Sequence, residues 1–315
     1  MKVAILGATG ENGSSIVNAL EESKHSFDII ALTRPSSFNN AANNTLRGRG
    51  IDVRAIDLSA DPSTLVPTLA GVETLIAAVA FPAILTQIPL ATAAKAAGVK
   101  RFVPTFYAPV SAPTGITTPR EEKEEVLNHV KKLGLPYTVI DNGWWFQIAF
   151  PHLPSGRIDY ALSEQKDAIA GSGNTPIAHT DLADVGRYVA RIIVDPRTLN
   201  KMVFAYGELK TQNEIYDLIE GQSGEVIQRK YLSKEVITSI LDGIPRGAPF
   251  PSPDWWKLTQ FEFLNSWGLR GDNTPEYARY FGYIDARELY PDFQPKKMEE
   301  FAKELLAGKL RRVYT

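Results

Sequence analysis

Residues 1–13 read Met1-Lys2-Val3-Ala4-Ile5-Leu6-Gly7-Ala8-Thr9-Gly10-Glu11-Asn12-Gly13, and this stretch decides the fold class. The apolar, β-branched run Val3 to Leu6 predicts a first strand. Gly7-x-x-Gly10-x-x-Gly13 follows at once. Residues 14–22 then carry Ile16, Val17 and Leu20 at helical spacing. A glycine triplet alone is a weak signal; between a first strand and a first helix it points to a dinucleotide phosphate. Glycine permits the tight turn, and the missing side chain lets phosphate approach backbone amides at a helix N-terminus. Thr9, Glu11 and Asn12 complete the candidate cofactor-binding loop with Gly7, Gly10 and Gly13. Glycines used for packing alone are the competing reading.

Outward from this loop, strand-like and helix-like segments alternate. Strands are expected at 29–33, 52–56, 74–80, 101–104 and 137–140, with helices at 86–97 and 126–133 closed by Gly98 and Gly134. Such alternation predicts an α/β fold: a Rossmann-type, doubly wound parallel sheet covered on both faces. After about residue 150 the alternation weakens, prolines cluster and aromatics become dense. The expected organisation is a dinucleotide-binding domain over 1–150, to which later segments return, and a smaller α+β substrate lobe over 151–315.

Composition narrows the function classes. The chain has 315 residues, with 34 Lys plus Arg against 36 Asp plus Glu, which argues against a nucleic-acid partner. It has no cysteine, which excludes thiol nucleophiles and Cys-ligated metals, and its four histidines lack metal-ligand spacing. The apolar run 74–85 is too short to span a bilayer, so no membrane partner and a cytoplasmic location are expected.

The end of the second strand reads Ala31-Leu32-Thr33-Arg34-Pro35-Ser36-Ser37. NAD-binding domains place a carboxylate there, about 20 residues past the glycines, to hold the ribose hydroxyls. Arg34 instead offers a guanidinium for a 2′-phosphate, which favours NADP(H). A second unusual position is Lys123. Thr118-Pro119-Arg120-Glu121 reads as a helix start with Thr118 as N-cap, and the apolar stripe beyond it is Val126, Leu127, Val130 and Leu133. Lys123 shares that face. The spacing leaves two readings open: a buried lysine suited to proton transfer, or a stem on the stripe's edge with its head in water. Trp144-Trp145-Phe146 and Trp255-Trp256 either line a pocket for a flat ligand or serve as packing.

These residues resemble the isoflavone reductase-like branch of the NmrA-like atypical short-chain dehydrogenases, the group of phenylcoumaran benzylic ether reductases and pinoresinol reductases. The resemblance spans nearly the whole chain. It is carried by the Gly7–Gly13 loop, by the runs 98–104, 134–138, 195–201 and 211–214, and by Glu288-Leu289-Tyr290-Pro291-Asp292. It implies an NADPH-binding domain, hydride delivery to a benzylic or conjugated carbon of an aromatic substrate, and a helix lysine as general acid/base. That lysine falls on Lys123, which also belongs to the implied cofactor set. The resemblance further implies Gln87 near the cofactor, and Asn142 with Trp144 just after the sixth strand, beside the nicotinamide.

One segment departs from the family pattern. Where Pro-Ser-Glu-Phe-Gly is common after the fifth strand, this chain has Pro104-Thr105-Phe106-Tyr107-Ala108. Phe106, Tyr107 and Trp144 are therefore candidate substrate contacts. Tyr107 or Thr105 is a candidate proton donor, assisted by Lys123. The Tyr-x-x-x-Lys pair of ordinary short-chain dehydrogenases is absent, because Pro119 stands four residues before Lys123. The expected function is an NADPH-dependent reductase of secondary metabolism acting on a small aromatic or polyketide-like molecule at a benzylic ether, enone or quinone-methide-type carbon, in a possible homodimer. The alternatives are an NADP(H)-sensing regulator without catalysis, or a redox-neutral isomerase, dehydratase or cyclase.

Overall fold

The computed structural model describes residues 1–162 and 168–314. By contacts the chain divides into two compact units, 1–107 with 122–140 and 185–203, and 108–121 with 141–184 and 204–315. In chain order the elements of the first half are β1 (Lys2–Leu6), α1 (Glu11–Glu21), β2 (Asp28–Thr33), α2 (Ala41–Gly48), β3 (Asp52–Ala55), α3 (Pro62–Leu65), β4 (Thr74–Ala77), α4 (Gln87–Ala96), β5 (Arg101–Val103), α5 (Thr118–Lys132) and β6 (Thr138–Asp141).

The first unit is built on a five-stranded sheet in the order β3-β2-β1-β4-β5, with every pairing parallel. This is the Rossmann-type α/β arrangement, and strand order reverses between β1 and β4. Val3, Ala4 and Ile5 are fully buried, as expected of a central parallel strand covered on both faces. One core cluster joins Ala4, Leu6, Ile30 and Leu75 of the sheet to Leu90 and Ala94 of α4 and to Val126 and Val130 of α5. The stripe read from the α5 sequence is thus its packing face.

Three elements differ from the expectation. Helix α1 begins at Glu11, so Gly13 lies in its first turn and Gly10 is its N-cap. Strand β4 stops at Ala77 instead of reaching residue 80. Its partner β1 ends at Leu6, and the last bond is Ala78 N–H to the Leu6 carbonyl, 2.8 Å. The sixth strand does not extend the five-stranded ladder. Its backbone meets β5 through the Phe102–Tyr137 bridge and the bond from Phe102 N–H to the Pro136 carbonyl, at the strand's edge. Pro104, which has no N–H, ends the β5 ladder. Strand β6 belongs instead to a separate short sheet.

The start of α5 also shifts. The Thr117 carbonyl accepts from the N–H groups of Arg120 and Glu121, so helical bonding begins one residue before the expected cap. Thr118 donates both its N–H and its hydroxyl to the buried Glu262 carboxylate, at 2.8 and 2.9 Å. Glu121 accepts from Gly115 N–H rather than closing a capping box with Thr118.

Further along the chain are β7 (Trp144–Trp145), β8 (Ile169–Ala170), β9 (Ile177–Thr180), α6 (Leu182–Ile192), β10 (Lys201–Phe204), β11 (Glu208–Lys210), α7 (Gln212–Ser223), β12 (Tyr231–Leu232), α8 (Lys234–Asp242) and α9 (Pro253–Phe263). In the second unit β7 and β11 flank β9, and β8 pairs with β12. Its main core holds Phe146, Phe150, Ile219 and Phe301. Helix α9 runs into a π-helical stretch, Leu264–Arg270. Among the described residues no helix is long and apolar enough to cross a membrane.

Candidate active site

The three loop glycines have different reasons. Gly7 has φ +82°, and a Cβ there would stand 2.5 Å from the Ala78 carbonyl oxygen. At Gly13 a Cβ would lie 2.0 Å from the Gly7 carbonyl oxygen. Both positions exclude any side chain on backbone geometry alone. Gly10 is different. Its φ of −77° and ψ of 176° suit any residue, and a Cβ would meet its nearest atom, the Gly7 carbonyl oxygen, at 3.4 Å. Nothing in the chain requires glycine there. As N-cap it also leaves the first amides of α1 without a side-chain cap. Thr9 and Gly10 are exposed, Glu11 and Asn12 half-buried.

Arg34 follows β2. Its side chain is exposed and makes no ion pair or hydrogen bond among the described residues. No carboxylate accompanies it in the segment 33–37.

From the glycine turn a chain of contacts leads to Lys123 inside the first unit. Ala78 abuts Gly7, and the next residue, Val79, donates its N–H to the Thr105 hydroxyl at 3.0 Å. Thr105 N–H donates to the Gln87 side-chain oxygen at 2.8 Å, and the Gln87 amide donates to the Ile84 carbonyl at 2.9 Å. Gln87 is fully buried and both ends of its amide serve the backbone. Beyond Thr105, the Phe106 carbonyl accepts from the Lys123 ammonium at 2.5 Å. Lys123 is 9% exposed, so the buried reading of this lysine is the one the structure displays. Tyr107 N–H donates to the Ile140 carbonyl at 2.9 Å.

Tyr107 has φ +36°, a left-handed backbone that an aromatic residue rarely adopts. Its hydroxyl is buried and finds no partner among the described residues. Burial pushes the phenol's pKa far above its ordinary value.

Asn142 and Trp144 lie in the second unit. Asn142 is fully buried, and both ends of its side-chain amide lack a partner among the described residues. Its backbone is held by Asn142 N–H to the Ala108 carbonyl and by the Thr180 hydroxyl to its own carbonyl, at 3.2 and 2.5 Å. Gly143 has φ +73°, and a Cβ there would lie 2.3 Å from the Ala178 carbonyl oxygen. Trp144 is half-buried between Phe263 and Trp267, with ring centroids at 5.3 and 5.7 Å. Its indole N–H donates to the Ile148 carbonyl at 3.2 Å.

Sequence reading missed two supports of this site. Gly186 of α6 packs on α1 so closely that a Cβ would meet the Ser15 carbonyl oxygen at 2.1 Å. Arg101 is 7% exposed and donates to the hydroxyls of Thr138 and Thr198 and to the carbonyls of Ile192 and Asp195, at 2.7–3.0 Å. It locks together the runs 98–104 and 195–201. A charged residue in a short apolar strand was the available signal.

A parallel sheet whose order reverses beside a glycine turn defines a nucleotide-binding α/β protein. The profile of the NmrA-like family matches residues 1–302, and the chain belongs to that family. It is 44% identical, over 98% of its length and 96% of the relative's, to asnovolin J 5′,6′-dehydrogenase of Aspergillus novofumigatus. It is 28% identical to phenylcoumaran benzylic ether reductase Betv6 of Betula pendula, over 97% of this chain and 98% of that one. Among solved structures, AtPrR2 with NADP+ and (+)pinoresinol has the same fold, with a TM-score of 0.79 at 23% identity, covering 96% of this chain and 98% of that one.

Proposed function

We propose that the protein is an NADP(H)-dependent oxidoreductase acting on a small molecule, with Lys123 as its general acid/base. The carrying observation is the contact chain Gly7–Ala78–Val79–Thr105–Phe106–Lys123, which joins a phosphate-ready turn to a buried ammonium within one unit.

The residues fit the cofactor. Gly10 leaves open a cradle that a side chain would fill, at the N-terminus of α1 where a phosphate is favoured. Arg34 is available for the 2′-phosphate. Asn12 has a buried side-chain oxygen without a partner among the described residues, and Asn142 a whole amide. NADP(H), when bound, supplies or accepts the hydride. Gln87 shapes the site indirectly, by holding Thr105. Lys123 holds a proton at Nζ, fixed in place by the Phe106 carbonyl, and exchanges it with the substrate. Phe106 and Tyr107 are the proposed substrate contacts of this unit.

The relatives are named as acting in both directions, one as a dehydrogenase and one as a reductase. For this chain we favour reduction of an aromatic or polyketide-like molecule at a conjugated or benzylic carbon. The test mixes the protein with NADPH and a panel of phenolic ethers, enones and quinone-like compounds, and follows the nicotinamide absorbance. Consumption with one class is expected. A Lys123→Met variant should lose at least about 100-fold in turnover while still binding NADPH. NADPH binding with no turnover on any class, forward or in reverse with NADP+, would leave the sensing reading instead.

A further inference from the structure

The segment after β5 is fixed residue by residue. Thr105 is held by Val79 and Gln87, Phe106 by the Lys123 ammonium and Tyr107 by Ile140. Four independent contacts therefore define three consecutive residues. The outcome is a conformation the chain would otherwise avoid: Tyr107 at φ +36°, with a buried hydroxyl that donates to nothing among the described residues. Strain of this kind persists only where the surroundings over-determine it, and it clusters at ligand-handling sites. An orphaned buried donor is a second, separate penalty. A phenylalanine would fill the same volume without that penalty, so packing does not account for the hydroxyl.

Resting on the oxidoreductase reading above, we propose that the Tyr107 hydroxyl is a hydrogen-bond donor to the substrate oxygen, bonded or conjugated to the carbon that takes the hydride, on which negative charge develops. This narrows the substrate class to molecules with such an oxygen, a ketone, an enone or quinone-like carbonyl or a benzylic ether, rather than an isolated alkene. The hydroxyl polarises that oxygen without giving up its proton. Burial with no cation bonded to the phenol oxygen among the described residues opposes ionisation, whereas a proton-donating tyrosine needs its pKa brought down toward neutrality. The division of labour follows: Tyr107 polarises and stays protonated, and Lys123 exchanges the proton.

The test is Tyr107→Phe, read three ways. Melting without ligand should rise by about 2–6 °C, because an unpaired buried donor is removed. NADPH affinity, followed by nicotinamide fluorescence, should stay unchanged. With the member of the panel that the wild type turns over, kcat should fall about 30- to 1,000-fold with little change in KM. A lower melting temperature would show that the hydroxyl has a structural partner and would overturn the proposal. Retained kcat on a substrate that the wild type consumes would also overturn it, as would a wild type that turns over only alkenes without an oxygen bonded or conjugated to the reduced carbon. Failure of the wild type itself to consume NADPH counts against the oxidoreductase reading, whereas the melting comparison speaks to Tyr107 alone.

Discussion

Replacing Gly10 by alanine separates the two reasons a glycine turn can exist. The backbone there (φ −77°, ψ 176°) is open to alanine without strain. The added methyl would meet the Gly7 carbonyl oxygen at 3.4 Å and the Ala78 carbonyl oxygen at 3.9 Å, both ordinary contacts. Stability should therefore hold or rise, by about 0.4–1 kcal/mol from the stiffer unfolded chain, or roughly 1–3 °C in melting temperature. Ligand binding should behave oppositely. A phosphate oxygen must come within about 2.9 Å of a backbone N–H, and a methyl in front of the turn denies that approach. Losing one charge-assisted hydrogen bond removes about 1.5–3 kcal/mol, equivalent to about 10- to 100-fold in Kd. The assay is a fluorescence titration with NADPH beside thermal melts with and without it. The variant should lose most of the NADPH-induced shift while melting at or above the wild-type temperature alone. Gly13→Ala is the contrast: its Cβ would stand 2.0 Å from the Gly7 carbonyl oxygen, so it should be destabilised by about 3 kcal/mol whatever the ligand. Wild-type NADPH affinity in Gly10→Ala would refute the argument that this position is kept bare for a ligand.

Two further predictions concern charge. Arg34→Gln should weaken NADPH binding about tenfold or more and leave NADH binding unchanged, measured by parallel titrations; equal losses for both would remove the 2′-phosphate role. His179 on β9 is buried and its pKa is pushed down to about 3, chiefly by desolvation, from an ordinary value near 6.5. The unfolded chain then binds a proton that the folded chain refuses, so stability contributed by the neutral ring is full above pH 6.5 and lost as pH falls toward 3. At pH 5 the loss is about 2 kcal/mol. His179→Phe should flatten that slope in denaturant melts between pH 7 and 4, and an unchanged slope would remove His179 as its source.

The parts legible in the sequence were those enforced by local geometry. Gly7 and Gly13 are dictated by backbone contacts a few residues away or one strand across, so the turn could be read from spacing. The α5 stripe was legible because burial repeats with the helical period. The cap of α5 was misplaced by one residue because Glu262, remote in sequence, takes the hydrogen bonds of Thr118 that a local capping box would have used. The sixth strand looked like a sheet member because its apolar pattern is that of a buried strand, and a pattern names no partner. The strain at Tyr107 could not be read from spacing, since it is set by contacts from Val79, Gln87, Lys123 and Ile140 together. The π-helical stretch 264–270 likewise carries no periodic signature distinct from an α-helix.

The Arg101 contacts bear on how the chain can be made. A ribosome delivers the strands β1 to β5 first, and with them a guanidinium destined for a buried position. Its acceptors at Ile192, Asp195 and Thr198 are synthesised more than 90 residues later, and Gly186, which seats α6 on α1, comes in the same late segment. Until that segment emerges, the guanidinium lacks the three acceptors that it supplies, and α1 lacks the helix that packs on it. A fragment cut at residue 150 would lack all of these contacts even with every strand of the parallel sheet present.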